Sequence, residues 1–519
     1  MKKIIIVLSL MLCGYFVQSQ KRPKLVVGIV VDQMRYDYIY RFWNSFGENG
    51  FKELVNEGAF YRNTHFGYMP TYTGPGHASI FSGTTPAVHG IIGNNWYDKE
   101  SQKSVYCAGD GEMHTVCNCE NHTTDVITND GQMSPHRMLT TTIGDELQLF
   151  NDKAKVIGIS LKDRGAILPA GHMGDAAYWM DSNGDWITSS YYMESLPQWM
   201  IDYQSENSVS DYLESKWEGN NFSYNLDTLV AKNGTKIIKS TPFGNTILKD
   251  LAKEIIKEEK LGKGENTDFL SISFSSTDYV GHQYGPHAEE LVDTYLRLDQ
   301  DMADLLKTLK QSLGKENVLI FLTADHGVVS VPNTLIEKRI PAGYFVVHKI
   351  QESLEAYLTS RYGTGEWIKR YSNQQFFLNQ ELILEKQIYK ADIEKVCADF
   401  LISKRGIKNT FTATQLHQQE YNNGIHALVQ RGFNQKRSGD VIINLESGWI
   451  EWRSPTGTTH GSCYSYDTHV PLLFWGKNIR PKVSDEAVFI QDIAPTVSTL
   501  LGISFPNGCT GKPIRSITE

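Results

Sequence analysis

The sequence predicts an α/β protein with a mostly parallel central sheet and helices on both faces. Three observations carry that class. Short apolar runs recur along the chain and read as buried strands, at Leu25–Val31, Val156–Ser160, 269–274, Val318–Thr323 and 471–475. Helical periodicity lies between and after them. Glu289–Leu313 places Leu291, Tyr295, Leu298, Met302, Leu305 and Leu309 on one face, and 491–501 is similar. Finally, three of the runs lead into an acidic residue: Asp32, Asp278 and Asp325. Parallel sheets gather their ligands beyond the carboxyl ends of such strands.

Two stretches break the rhythm. Residues from about 178 to 239 are rich in Ser, Asn, Tyr and Trp, and 342 to about 437 carries helix-like segments of its own. Both read as insertions that cap the active edge of the sheet, because long insertions with internal structure are usually functional lids. Their aromatic residues include Tyr191, Tyr192, Trp199, Tyr344 and Phe345.

The chain of 519 residues is long enough for one large domain with insertions. Its formal net charge of -9 argues against nucleic acid as a general partner, which needs clustered Lys and Arg. A small phosphorylated substrate needs only a locally positive pocket. Oligomeric state is open, a monomer included.

The first residues read as a signal peptide over 1–19. Lys2 and Lys3 precede an apolar stretch from 4 to 17, and Val17 and Ser19 are small enough for cleavage before Gln20. The stretch falls short of the roughly 20 residues that a membrane span needs. Export to the periplasm or beyond is therefore expected, with 20–519 as the catalytic domain and no stable membrane span. In an oxidising compartment, Cys107 is expected to close a local disulfide with Cys117 or Cys119. One residue between Cys117 and Cys119 is too few for the usual metal pair.

The candidate chemistry follows the strand ends. His282 stands four residues after Asp278, and His326 follows Asp325 directly. One such Asp is usually a turn residue, but several Asp and Asp/His strand ends together point to metal, and mixed Asp and His donors suit zinc. Thr73-Gly-Pro-Gly-His77 then offers a hydroxyl at the start of a helix, where unpaired N–H groups favour a phosphate. A threonine hydroxyl is a weak nucleophile unless metal activates it.

In order along the chain come Asp32, Thr73-Gly-Pro-Gly-His77, the segment from His89 to Asn94, Asp278 with His282, Asp325-His326-Gly327 and His460-Gly461. This series resembles the alkaline phosphatase superfamily, in particular its branch of nucleotide pyrophosphatase/phosphodiesterases and PafA-type alkaline phosphatases. The resemblance implies two Zn²⁺ per chain. Asp278, His282 and His460 would hold one; Asp32, Asp325, His326 and the Thr73 alkoxide would hold the other. His469 competes with His460, which is preferred for its following glycine. His77 is read as structural. The resemblance further implies a phosphothreonine intermediate at Thr73.

Monoester and diester hydrolysis differ in what meets the remaining phosphoryl oxygens. Asn94 can donate its amide to one of them. Lys162 and Arg164 follow the strand Val156–Ser160, and an extended chain would project them to the same side. Such a pair complements the extra charge of a monoester. It resembles the Lys-x-Arg feature of PafA-type enzymes and implies a phosphomonoesterase acting on small phosphorylated substrates. The alternative is a phosphodiesterase or nucleotide pyrophosphatase on the same scaffold.

Overall fold

The computed structural model describes residues 22–118, 129–213, 216–452 and 454–519. The expected signal peptide and Cys119 lie outside the described residues. The central sheet is built from β1 (Leu25–Val31), β2 (Ala59–His65), β3 (Thr115–Val116), β4 (Val156–Ser160), β5 (Ala176–Met180), β6 (Trp186–Ser189), β7 (Asp268–Phe274), β8 (Val318–Thr323), β9 (His469–Gly476) and β10 (Lys482–Phe489). Side by side their order is β10-β2-β9-β8-β1-β7-β4-β5-β6-β3. From β8 through β5 every pairing is parallel. β9 runs antiparallel to both of its neighbours, as does β6. The sheet is thus mostly parallel.

The central strands are mostly apolar because both faces are covered. Every residue of β1, β7 and β8 is buried. The helix Glu289–Leu313 turns Leu291, Leu298, Met302 and Leu305 into the same core. Register matters most for the site. Val31 pairs with Phe274, and Val30 with Thr323, so β1, β7 and β8 end together. Asp32, Asp278 and Asp325 all follow those ends.

The stretches expected as insertions have different boundaries in the structure. Tyr178 belongs to β5, and Trp186–Ser189 adds a further strand, so the beginning of the first stretch extends the central sheet. Residues 368–445 include a separate antiparallel sheet in the order Ile368–Ser372, Gln375–Leu378, Val441–Leu445, Ile407–Thr412. Val441–Leu445 lies inside this sheet, so the unit runs past residue 437. It has its own core around Leu354, Trp367, Ile393 and Leu401. The hairpin at Asn373 and Gln374 reaches the active edge, donating to the carbonyls of Asn95 and Gly461.

The expected Cys107 disulfide is not formed. Cys107 is a buried free thiol packed with Ala78, Ile91 and Trp96. Cys117 is disulfide-bonded, and its partner lies outside the described residues.

Candidate metal centre and active site

Two groups of side chains at the sheet edge bring nitrogen and oxygen donors within reach of a single ion. One is Asp278, His282 and His460; the other is Asp32, Asp278 and His326. They share Asp278. The imidazoles of His326 and His460 stack with centroids 3.4 Å apart, which joins the groups into one site. Asp325 flanks the second group, with Oδ2 3.5 Å from His326 Nε2. His469 is elsewhere: its Nε2 meets the Arg62 carbonyl, and its ring stacks on His65.

The histidines are held as ligands would be. Nδ1 of His282 lies 2.7 Å from the Thr458 carbonyl, Nδ1 of His460 2.7 Å from that of Thr71, and Nδ1 of His326 3.0 Å from that of Gly327. A carbonyl only accepts, so each Nδ1 carries the proton and each Nε2 turns a lone pair to the site. His77 contrasts with them. Its two nitrogens meet the Thr73 carbonyl and the Ser273 hydroxyl, which makes it a strut under the helix.

The carboxylates also call for a cation. Asp32 Oδ1 and Asp325 Oδ2 are buried oxygens with no hydrogen-bond partner. Such atoms are costly unless a positive charge meets them. Burial first, and then the neighbouring carboxylates, raises the pKa of both groups above the ordinary Asp value. Burial pushes His326 down to about 3, which keeps it neutral and able to ligate. The donor set therefore fits a metal ion, and its Asp/His chemistry suits zinc.

Thr73 is the first residue of the helix Thr73–Ser82; Tyr72 precedes it as the cap residue, with no side-chain cap bond. The Thr73 hydroxyl therefore is not a helix cap. It lies 3.4 Å from His326 Nε2. Gly76 allows this placement, since a Cβ there would come 2.3 Å from the Asp325 carbonyl oxygen. Asn94 accepts from the Gly74 N–H at 2.7 Å through Oδ1, which leaves its amide N–H groups to donate.

Lys162 and Arg164 are not two residues of a continuing strand. A helix begins at Asp163, with Lys162 as its cap residue. Both side chains nevertheless line one cavity of about 500 Å³. Lys162 Nζ reaches Asp32 at 2.7 Å and Asp278 at 2.6 Å, so it sits between the ligand groups. Burial opposes its charge, but Asp278 and Asp32 outweigh that and hold its pKa above the usual Lys value. Arg164 gives one N–H to the Tyr106 hydroxyl at 3.0 Å, while its Nε is buried without a partner.

The sequence profile of the type I phosphodiesterase/nucleotide pyrophosphatase family matches residues 26–467. The chain belongs to that family. It is 38% identical to alkaline phosphatase PafA of Elizabethkingia meningoseptica, over 99% of this chain and 98% of that one. It is 40% identical to alkaline phosphatase PhoV of Synechococcus elongatus, over 97% of this chain and 94% of the relative. The crystal structure of wild-type PafA matches with a TM-score of 0.88 at 37% identity, covering 96% of this chain and 99% of that one. Within the family, the chain stands with the PafA-type alkaline phosphatases.

Two further residues of this family member's site lie outside the motifs read in the sequence. Gln33, at φ 65°, donates its side-chain amide to Asp278 Oδ1 at 2.6 Å and its backbone N–H to Asp325 Oδ1 at 3.1 Å. It links two strand ends. Tyr106 lies at the end of the short hairpin strand Lys103–Tyr106 and bridges Asp163 and Arg164 through its hydroxyl. Adjacency to Asp32 was the one cue for Gln33; Tyr106 had none.

Proposed function

We propose that the chain is an exported phosphomonoesterase that holds two zinc ions and uses Thr73 as its nucleophile. The observation that carries this reading is the pair Lys162 and Arg164 on one cavity beside the Asp/His cluster. Two of the three Lys162 donors reach Asp32 and Asp278. One remains, beside the Tyr279 ring, together with the unpartnered Nε of Arg164. These donors match the additional anionic oxygen that a monoester carries and a diester lacks.

Asp278, His282 and His460 would hold one ion; Asp32, Asp325 and His326 would hold the other, beside Thr73. Bound there, zinc supplies Lewis-acid charge that lowers the pKa of the Thr73 hydroxyl and of the departing alcohol. Thr73 Oγ attacks phosphorus, and the ester P–O bond breaks as the Thr73–phosphate bond forms. Asn94, Lys162 and Arg164 hold the phosphoryl oxygens in place during that transfer. Water then hydrolyses the phosphothreonine and restores the hydroxyl.

The deciding experiment compares kcat/KM for a phosphate monoester and a diester with the same leaving group, on protein of measured zinc content. A monoester preference of at least about 10²-fold is expected, with about two zinc per chain. A preference for the diester would replace this reading by the phosphodiesterase one.

Export rests on Lys2, Lys3 and the apolar stretch that follows them. Protein recovered from the periplasm or medium should begin at Gln20. A chain that still begins at Met1 and stays in the cell would overturn it.

A further inference from the structure

A cavity of about 770 Å³ opens beside the first ligand group and takes no part in the phosphoryl chemistry above. Its wall combines Tyr344 and Val346, which precede the smaller antiparallel sheet, with Trp452 and Pro455 from the segment leading to His460. More of this lining is apolar than polar, and Val346 remains 42% exposed there. A folded protein usually covers such a surface or uses it.

Two residues of the cavity wall also neighbour the site. Trp452 lines it and also stacks on the His282 ring, with centroids 5.6 Å apart and planes 5° from parallel. Glu451 lines it and also lines the small cavity against His460. The Tyr344 hydroxyl and the Trp452 indole are both tied down, to the carbonyls of Pro455 and Thr456. The two rings are thus fixed in place, so binding against them costs little ordering.

We infer that this cavity is a subsite for the leaving group, and that it takes a planar aromatic alcohol. The inference rests on the phosphatase reading, in which the departing oxygen leaves beside Asp278, His282 and His460. Trp452 stands against one of those three residues, His282. Aromatic side chains fixed in an apolar cavity favour an aromatic ligand through offset or edge contacts. The separate cavity lined by Lys162 and Arg164 carries charged side chains and suits phosphoryl oxygens. The two cavities thereby divide the substrate into an anionic part and an apolar part.

Tyr344→Ala is the first test, since Tyr344 belongs to neither ligand group. The ratio of kcat/KM for phenyl phosphate to that for methyl phosphate, taken relative to the unchanged chain, should fall about fivefold to tenfold. Taking the ratio against the unchanged chain cancels the intrinsic reactivities of the two esters. Val346→Asp, at an exposed position, should lower the same ratio. Methyl phosphate turnover and zinc content show whether the variants are folded. An unchanged ratio in both variants would overturn the subsite. Calorimetry with phenylphosphonate and methylphosphonate makes the comparison without turnover. Tighter binding of the phenyl compound, lost in Tyr344→Ala, is expected; equal affinities in all three proteins would also reject the subsite. A chain that binds phenylphosphonate in this way but hydrolyses neither ester would count against the phosphatase reading and not against the cavity.

Discussion

Thr73→Ala should lower turnover of a phosphate monoester by at least about 10³-fold while zinc stays bound. The size follows from the reaction path. Without the hydroxyl no phosphothreonine can form, and direct attack by water is all that remains. The variant should fold. Thr73 is the first helical residue, alanine is favourable in a helix, and no cap bond is lost. Among the described residues, the hydroxyl's one hydrogen-bond contact is the 3.4 Å approach to His326 Nε2. The Asp and His ligands remain, so zinc measured by elemental analysis should stay near the level of the unchanged chain. Near-normal turnover would reject Thr73 as the nucleophile. Loss of zinc together with turnover would mean that the hydroxyl acts chiefly as a ligand.

The reach of sequence reasoning in this chain has physical limits. β1, β4 and β8 were legible to the residue, because strands buried on both faces are mostly apolar. Asp32 stands directly beyond one such run, and Asp325 two residues beyond another. β2 and β5 were missed: β2 carries Arg62 and Asn63 toward partly open positions, and β5 is short and aromatic. The geometry at Lys162 and Arg164 was also misread. Pro169 lies inside the helix that begins at Asp163 and obscured it. The pairing of the two cations survives because the helix start, and not a strand, turns both into one cavity. Gln33 had only its adjacency to Asp32 as a cue, and Tyr106 had none. Their roles come from contacts 245 and 57 residues away. No local pattern encodes such distances.

Replacing both Lys162 and Arg164 by Ala should cost a monoester about 10²–10⁴-fold in kcat/KM, since each charge-assisted hydrogen bond is worth roughly 1.5–3 kcal/mol. A matched diester should lose no more than about tenfold, because it presents one charge fewer and a substituent where these donors point. Equal losses would mean that the pair does not read charge. The single variants separate two effects that the double variant mixes. Lys162 also holds Asp32 and Asp278, so Lys162→Ala should disturb zinc affinity as well as substrate binding. Arg164 hydrogen-bonds with Tyr106 and Asp163 and with no proposed ligand. Its removal should therefore change the ratio of monoester to diester hydrolysis at unchanged zinc content. Tyr106→Phe offers a graded version, because it deletes the hydroxyl that positions Arg164 and keeps the guanidinium. A partial loss of the same ratio is the result expected from a positioning residue. No change would show that Arg164 finds the phosphoryl group without that support.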